Sequence, residues 1–310
     1  MPIVEFINDS PISGRIGSHS RYFPDEWCNR LCRGHLDSSP SEKKRQSFDE
    51  ICARFSPSFR FFFLERFGSC MESWHAAKMN FTRSVAVSSI VGHILGIGDR
   101  HLGNILIHQG TGEVVHIDFG IVFEQGKVCV TTNFWLSISC ERARFNLTVL
   151  CLYPFFFFLK LLPIPELVPF RLTRNIVDGM GPCGTEGLFV KVAEETISML
   201  RENSRELLTI LSAVVADPLY KWSVSPLEAR RHQAEMRGYK LKEKGEDSTG
   251  DEKSQSATKT ISKIKDKLQG YEDSTSGEQQ GVEGQVQLLI NSAREPNNLS
   301  RMFPGWGPWV

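Results

Sequence analysis

A surplus of basic residues is the first thing this chain lacks. Its 310 residues set 36 lysines and arginines against 36 aspartates and glutamates. Binding nucleic acid through its phosphates needs such a surplus, so no direct nucleic-acid site is expected. A complete zinc motif is missing too. Cys28 and Cys32 have the spacing of half a site, but no second Cys or His pair follows at a matching distance. The eight cysteines are therefore read as reduced and mostly buried thiols of an intracellular protein. The first twenty residues mix Asn, Asp, Ser, Gly and Arg without an apolar core, which argues against a secretory signal. No internal repeat is present, so a solenoid is not expected.

What is there divides along the chain. The length allows one large domain or two smaller ones. The opening twenty residues read as a short strand followed by loop. From Ser41 to Phe67 apolar residues recur at helical spacing, with Pro57 expected to split the stretch. Thr82 to Leu95 predicts a further helix with a small-residue face at Val85, Ser88, Ser89 and Gly92. Gly96 to Asn104 has no periodicity and reads as loop. Asn104–His108 and Glu113–Ile117 read as two strands joined at Gln109-Gly110-Thr111-Gly112, whose glycines suit a tight hairpin. Two more helices are expected over Glu186–Leu200 and Arg205–Val215, with Pro218 closing the second. From about Ala229 to Gly281 apolar residues are too few to offset the entropy of ordering, so disorder is expected there, with one amphipathic piece at Ile261–Leu268. The last thirty residues predict a helix around Val286, Leu289 and Ile290 and then a compact aromatic tail. Phe303, Trp306 and Trp309 of that tail are expected to pack against the rest of the protein.

Chemistry concentrates in two places. Asp99-Arg100-His101 is followed by Asn104, and Asp118-Phe119-Gly120 stands at the end of the second predicted strand. Phosphoryl transfer needs a carboxylate to receive the proton of the attacking hydroxyl and oxygen ligands for a metal on the phosphates. Protein kinases place an Asn five positions after the catalytic Asp. Here the usual His-Arg-Asp order is reversed, yet Asn104 keeps that offset from Asp99. The hairpin between the motifs would bring them onto one rim. Either tripeptide alone is weak; the pair, in this order and with this offset, is not.

At these residues the sequence resembles the phosphatidylinositol 3-kinase-related protein kinases. SSIVGHILGIGDRHLGNILI and EVVHIDFGIVFEQGK look like their catalytic and activation segments. VPFRLTRNIVDGMG is similar to the substrate-facing end of their activation loop, and the stretch from Gly281 to Val310 resembles their C-terminal FATC element. The resemblance implies a mostly α, α+β kinase C-lobe with a small β-hairpin, followed by a disordered linker and a FATC-like helical tail. It implies Asp99 as catalytic base, His101 as stabiliser of the transferring phosphate, and Asn104 and Asp118 as ligands of Mg²⁺ or Mn²⁺ on ATP. Pro169, Phe170 and Arg171 would face the substrate, a protein Ser or Thr followed by Gln. It further implies DNA-damage signalling in the nucleus, with damage-sensor proteins as partners and no membrane.

The chain departs from that family in two ways. No glycine-rich loop and no Val-Ala-Ile-Lys-like strand precedes the helical region, so the N-terminal lobe is expected to be absent and ATP binding weak. Val128 to Lys160 interrupts the activation loop and reads as a retained intron or a gene-model error. The competing reading is a membrane segment at Phe145–Leu162, which Asn146, Thr148, Pro154 and Lys160 weaken. The expected divisions are 1–127 (C-lobe with catalytic loop), 128–160 (insertion), 161–228 (rest of the C-lobe), 229–280 (charged linker) and 281–310 (FATC-like). Two rival functions remain. One is a non-catalytic, partner-binding fragment; the other is a phosphoinositide lipid kinase, disfavoured because VPFRLTRN offers only Arg171 and Arg174 to inositol phosphates. Ser254-Gln255 in the linker matches the family's own target dipeptide, and the basic residues from Arg230 to Lys244 are read as a solvated face.

Overall fold

The computed structural model describes residues 41–124, 166–216, 249–272 and 278–302. In chain order these form α1 (Ser41–Arg54), α2 (Arg60–Phe67), α3 (Met71–Leu95), β1 (Ile105–Ile107) and β2 (Val114–His116). There follow α4 (Arg174–Gly179), α5 (Leu188–Glu202), α6 (Ser204–Ala216), α7 (Thr249–Gln269), α8 (Val282–Arg294) and α9 (Pro296–Leu299). The architecture is the expected one: mostly helical, with one antiparallel hairpin pairing Ile105 with His116 and Ile107 with Val114.

Pro57 separates α1 from α2, because its ring removes a backbone donor and clashes with the turn before it. Residues around α4 close that break. The Arg174 guanidinium donates to the Cys52 and Phe55 carbonyls at the end of α1, each at 3.0 Å. Asp178 accepts from the Arg60 N–H at 2.8 Å, placing a carboxylate at the positive end of α2.

The central helix is longer than the predicted Thr82–Leu95: it starts at Met71. Trp74, Ala77, Phe81 and Val85 continue the apolar stripe backwards at steps of three and four, so its first turns are stabilised by packing. Gly96 ends it in the left-handed region at φ 62°. There the Gly96 and Ile97 N–H groups reach back to the His93 and Gly92 carbonyls at 3.1 and 2.8 Å.

The main core gathers around this helix. Phe59, Phe62, Phe63, Phe67 and Phe81 pack ring against ring, with Phe81 only 5.1 Å from Phe63 between centroids. A Cβ on Gly179 would lie 2.6 Å from the Phe59 ring, so the missing side chain is what lets α4 rest on the cluster. From the other side α5 supplies Phe189, Ala193 and Ile197, and α8 supplies Val286, Leu289, Ile290 and Ala293. The helix predicted near the C-terminus is thus part of the main core. Leu299 and Met302 join Phe48 and Ile51 of α1 in a second, smaller cluster.

The largest correction concerns the charged stretch expected to be disordered outside Ile261–Leu268. It contains α7, which runs from Thr249 to Gln269. A helix needs apolar residues on one face only, and Ile264 and Leu268 supply it, buried against Ile94 of α3 and Leu211 of α6. Ser254-Gln255 falls within this helix. The three cysteines among the described residues are reduced thiols as expected, but the expected burial is not met: Cys52 is half-buried and Cys70 and Cys183 are exposed. The opening strand and loop, Cys28 and Cys32, the insertion with Phe145–Leu162, Pro218, the basic stretch and the aromatic tail lie outside the described residues. Among the described residues no helix is long and apolar enough to cross a membrane.

Candidate active site

The loop after α3 and the segment after β2 are joined by backbone hydrogen bonds. Gly98 N–H donates to the Ile121 carbonyl at 2.9 Å and Ile117 N–H to the Asn104 carbonyl at 3.0 Å. The hairpin returns the chain to this rim because Ser84 and Asn80 of α3 hold it. The Ser84 hydroxyl accepts the Val114 N–H at 2.8 Å, and the Asn80 amide donates to the Thr111 carbonyl at 3.1 Å. Gly112, at φ 76°, lets the turn press against α3, where a Cβ would sit 2.7 Å from the Ala77 carbonyl oxygen.

Arg100 is the tie between the two motifs. Its guanidinium donates to the Gly98 carbonyl at 2.8 Å, to the Ile117 carbonyl at 2.9 Å, and to the Asp118 carbonyl. Burial pushes this guanidinium below the ordinary arginine value, against the opposing charges of Asp99, Glu166 and Asp118. Asp99 and Asp118 both occupy the left-handed region, at φ 58° and 57°. A non-glycine residue there is uncommon, with Asp among the most tolerant, and strained backbone of this kind clusters at functional sites.

The side chains follow from that frame. Asn104 is buried, and its Nδ2 donates to the Asp99 carbonyl at 3.0 Å, which leaves its Oδ1 as the acceptor still available. Asp118 is exposed; its Oδ1 accepts the Gly120 N–H at 3.1 Å and its other oxygen is open. Two hard oxygen donors of this sort suit Mg²⁺, which is commonly held by one or two protein ligands together with phosphate oxygens. Among the described residues no cluster of three His, Cys, Asp or Glu could hold a metal alone. His101 Nδ1 accepts the Gly103 N–H at 3.0 Å, so the neutral ring carries its proton on Nε2. Burial lowers the His101 pKa despite the nearby Asp99 carboxylate, which keeps the ring neutral at pH 7.

The residues expected to face a substrate do something else. Phe170 and Arg171 are 7% and 4% exposed, and Pro169 is half-buried. Arg171 donates to the Arg100 carbonyl at 3.3 Å, and burial takes its guanidinium down to about 9, still protonated at neutral pH. Phe170 belongs to the main core and Arg171 backs the catalytic loop, its bond to the Arg100 carbonyl offsetting part of the cost of burying a charge.

Sequence reasoning missed a second buried network behind the site. The Lys267 ammonium of α7 meets Glu124 at 2.7 Å and the His93 carbonyl at 2.8 Å. Glu124 belongs to the segment leaving Asp118-Phe119-Gly120, and its N–H donates to the Gly96 carbonyl at 2.9 Å. His93 in turn pairs with Glu272 at 2.8 Å, and Gln285 of α8 donates to the Lys267 carbonyl at 2.8 Å. The one signal in the sequence was a lysine set between Ile264 and Leu268 on the apolar face. Burial raises the Glu272 pKa, but its bond and charge interaction with His93, with help from Gln285 and Lys267, outweigh that and leave it lowered. A carboxyl lowered on folding contributes stability above its ordinary range near 4.5, and that contribution is lost as pH falls through its folded value. Denaturant titrations between about pH 5 and 3 should therefore show a smaller loss of stability in Glu272→Gln than in the parent.

Comparison with known proteins agrees with this geometry. Residues 3–224 match the family Phosphatidylinositol 3- and 4-kinase, and residues 279–310 match the FATC domain. The serine/threonine-protein kinase ATM of Arabidopsis thaliana is 41% identical over 297 residues, covering 95% of this chain and 7% of the relative. The serine-protein kinase ATM of Sus scrofa is 35% identical, covering 100% and 9%. The serine/threonine-protein kinase tel1 of Schizosaccharomyces pombe is 35% identical, covering 98% and 10%. A solved structure of the FAT and kinase domain of CtTel1 superposes with a TM-score of 0.68 at 33% identity, over 96% of this chain and 17% of that one. This chain thus spans at most 10% of the three sequence relatives' length. It belongs to the phosphatidylinositol 3- and 4-kinase family and ends in a FATC domain, as a relative of the ATM and Tel1 protein kinases.

Proposed function

We propose that this chain carries the catalytic centre for ATP-dependent phosphoryl transfer to protein serine or threonine followed by glutamine, in nuclear DNA-damage signalling. The observation that carries the reading is the Arg100 tie, which holds the Asp99 loop against Asp118 and so supports a base and a metal-binding pair sharing one rim. Asp99 orients the substrate hydroxyl and receives its proton. Asn104 Oδ1 and the open Asp118 oxygen would hold Mg²⁺ or Mn²⁺, which neutralises charge on the ATP phosphates when bound. Neutral His101, with its proton on Nε2, donates a hydrogen bond toward the transferring phosphate. The Ser/Thr-Gln preference and damage-sensor partners are carried over from the ATM-type relatives. Domain divisions at 1–127, 128–160, 161–228, 229–280 and 281–310 are part of the same proposal, with α7 placed inside the fourth.

Radiolabelled ATP with a Ser-Gln peptide, a Ser-Ala peptide and phosphoinositide vesicles tests this. Transfer to the Ser-Gln peptide, abolished in Asp118→Ala, is the expected result. Labelled lipid without labelled peptide would favour a lipid kinase. ATP–Mg²⁺ that fails to bind by calorimetry, with no transfer at all, would favour the non-catalytic, partner-binding reading.

A further inference from the structure

Outside the residues already assigned, one side chain reaches the backbone of the proposed base directly. Glu166 Oε1 accepts the N–H of Asp99 at 2.7 Å. That length suits an amide bonding to a charged carboxylate, a class of hydrogen bond about twice as strong as a neutral one. The contact falls where the backbone needs holding, since Asp99 sits at φ 58°. A left-handed non-glycine residue persists only where its surroundings over-determine it. The approach is also close from the other side. A Cβ on Gly98 would lie 2.6 Å from Glu166 Oε2 and 2.9 Å from Ile121, so only glycine before Asp99 admits the carboxylate. Five residues further on, Arg171 bonds the carbonyl of the next loop residue, Arg100, so one short segment grips two successive residues of the catalytic loop.

We propose that Glu166 is a positioning residue for catalysis, which fixes the left-handed turn at Asp99 through the Asp99 N–H and so aims the Asp99 carboxylate at the substrate hydroxyl. The proposal rests on the reading of Asp99 as the base. In this role Glu166 acts through the loop and not on the substrate or the metal. A loss of aim lowers the rate of the chemical step and leaves nucleotide binding, which depends on other groups, nearly untouched.

The test compares Glu166→Ala and Glu166→Gln with the parent in the whole chain. Amide hydrogen exchange of the peptide spanning Asp99 and steady-state kinetics against ATP are both read. In Glu166→Ala, exchange at Asp99 should quicken and kcat fall, each by about ten- to a hundredfold, matching loss of a hydrogen bond to a charged group, while KM for ATP moves less than about threefold. Glutamine keeps an acceptor oxygen and should recover most of both losses. Unchanged exchange at Asp99 in Glu166→Ala overturns the proposal, as does a fall in kcat that glutamine does not relieve. If the parent transfers no phosphate, the kinase reading fails by itself. The exchange arm still decides whether Glu166 holds the loop, and quickened exchange in the alanine variant, relieved by glutamine, sustains that.

Discussion

Replacing Asp99 with asparagine should lower kcat for Ser-Gln peptide phosphorylation by about 10²–10⁴-fold, the range a positioned general base contributes. Asparagine has the shape of aspartate, and it tolerates the left-handed backbone that Asp99 adopts at φ 58°. The Asp99 carbonyl that receives the Asn104 amide, and the N–H that meets Glu166, are backbone groups and survive the change. The substitution therefore removes the proton acceptor and the negative charge beside Arg100 and His101, and keeps those backbone contacts. Thermal unfolding of the variant should stay within a few degrees of the parent, a shift worth about 1 kcal/mol or less in a domain of this size. A kcat within tenfold of the parent, in a folded variant, would remove Asp99 from the role of base.

Replacing Phe81 with alanine should cost about 3–5 kcal/mol of stability, the usual range for deleting a buried aromatic ring. Phe81 is 0% exposed, and its ring meets Phe59 at 5.6 Å and Phe63 at 5.1 Å between centroids. The void could not close easily, because those rings are pinned in turn by Gly179 and by one another. Phe61 provides the contrast: it is the same residue type two positions before Phe63, but 48% exposed. Phe61→Ala should stay within about 0.5 kcal/mol, as surface changes do. Chemical denaturation of the two variants checks both figures, and equal losses would mean that the aromatic cluster is not the centre of the core.

Much of the frame was legible because local rules decide it. Pro57 divides two helices whatever surrounds it, and the glycines between β1 and β2 permit the turn that brings Asp99 and Asp118 together. The offset from Asp99 to Asn104 survives as a hydrogen bond from the Asn104 amide to the Asp99 carbonyl. Where the reading fell short, the deciding partner lay far away in the chain. The first turns of α3 hold because Ala77 and Phe81 meet buried partners, not because Met71 to Asn80 has a strong helical signal of its own. The helix α7 forms in a charged stretch because Ile94 and Leu211 wait to cover its narrow apolar face.

The amino-acid sequence by itself singled out the proposed reacting groups, since the two motifs that hold Asp99, His101, Asn104 and Asp118 stand out by residue type and by spacing across one short hairpin, and the family resemblance implies their roles. It determined the helical class as well, through apolar periodicity. Only the tertiary structure decided what holds those groups in place. Glu166 at the Asp99 amide, Arg171 behind the loop and Lys267 against Glu124 are contacts across 67, 71 and 143 positions (267 less 124 for the last). No periodicity or motif spans such separations. A polar side chain finds a long-range partner only after the hydrophobic core has brought the segments together, because burial without that partner is what water would otherwise prevent.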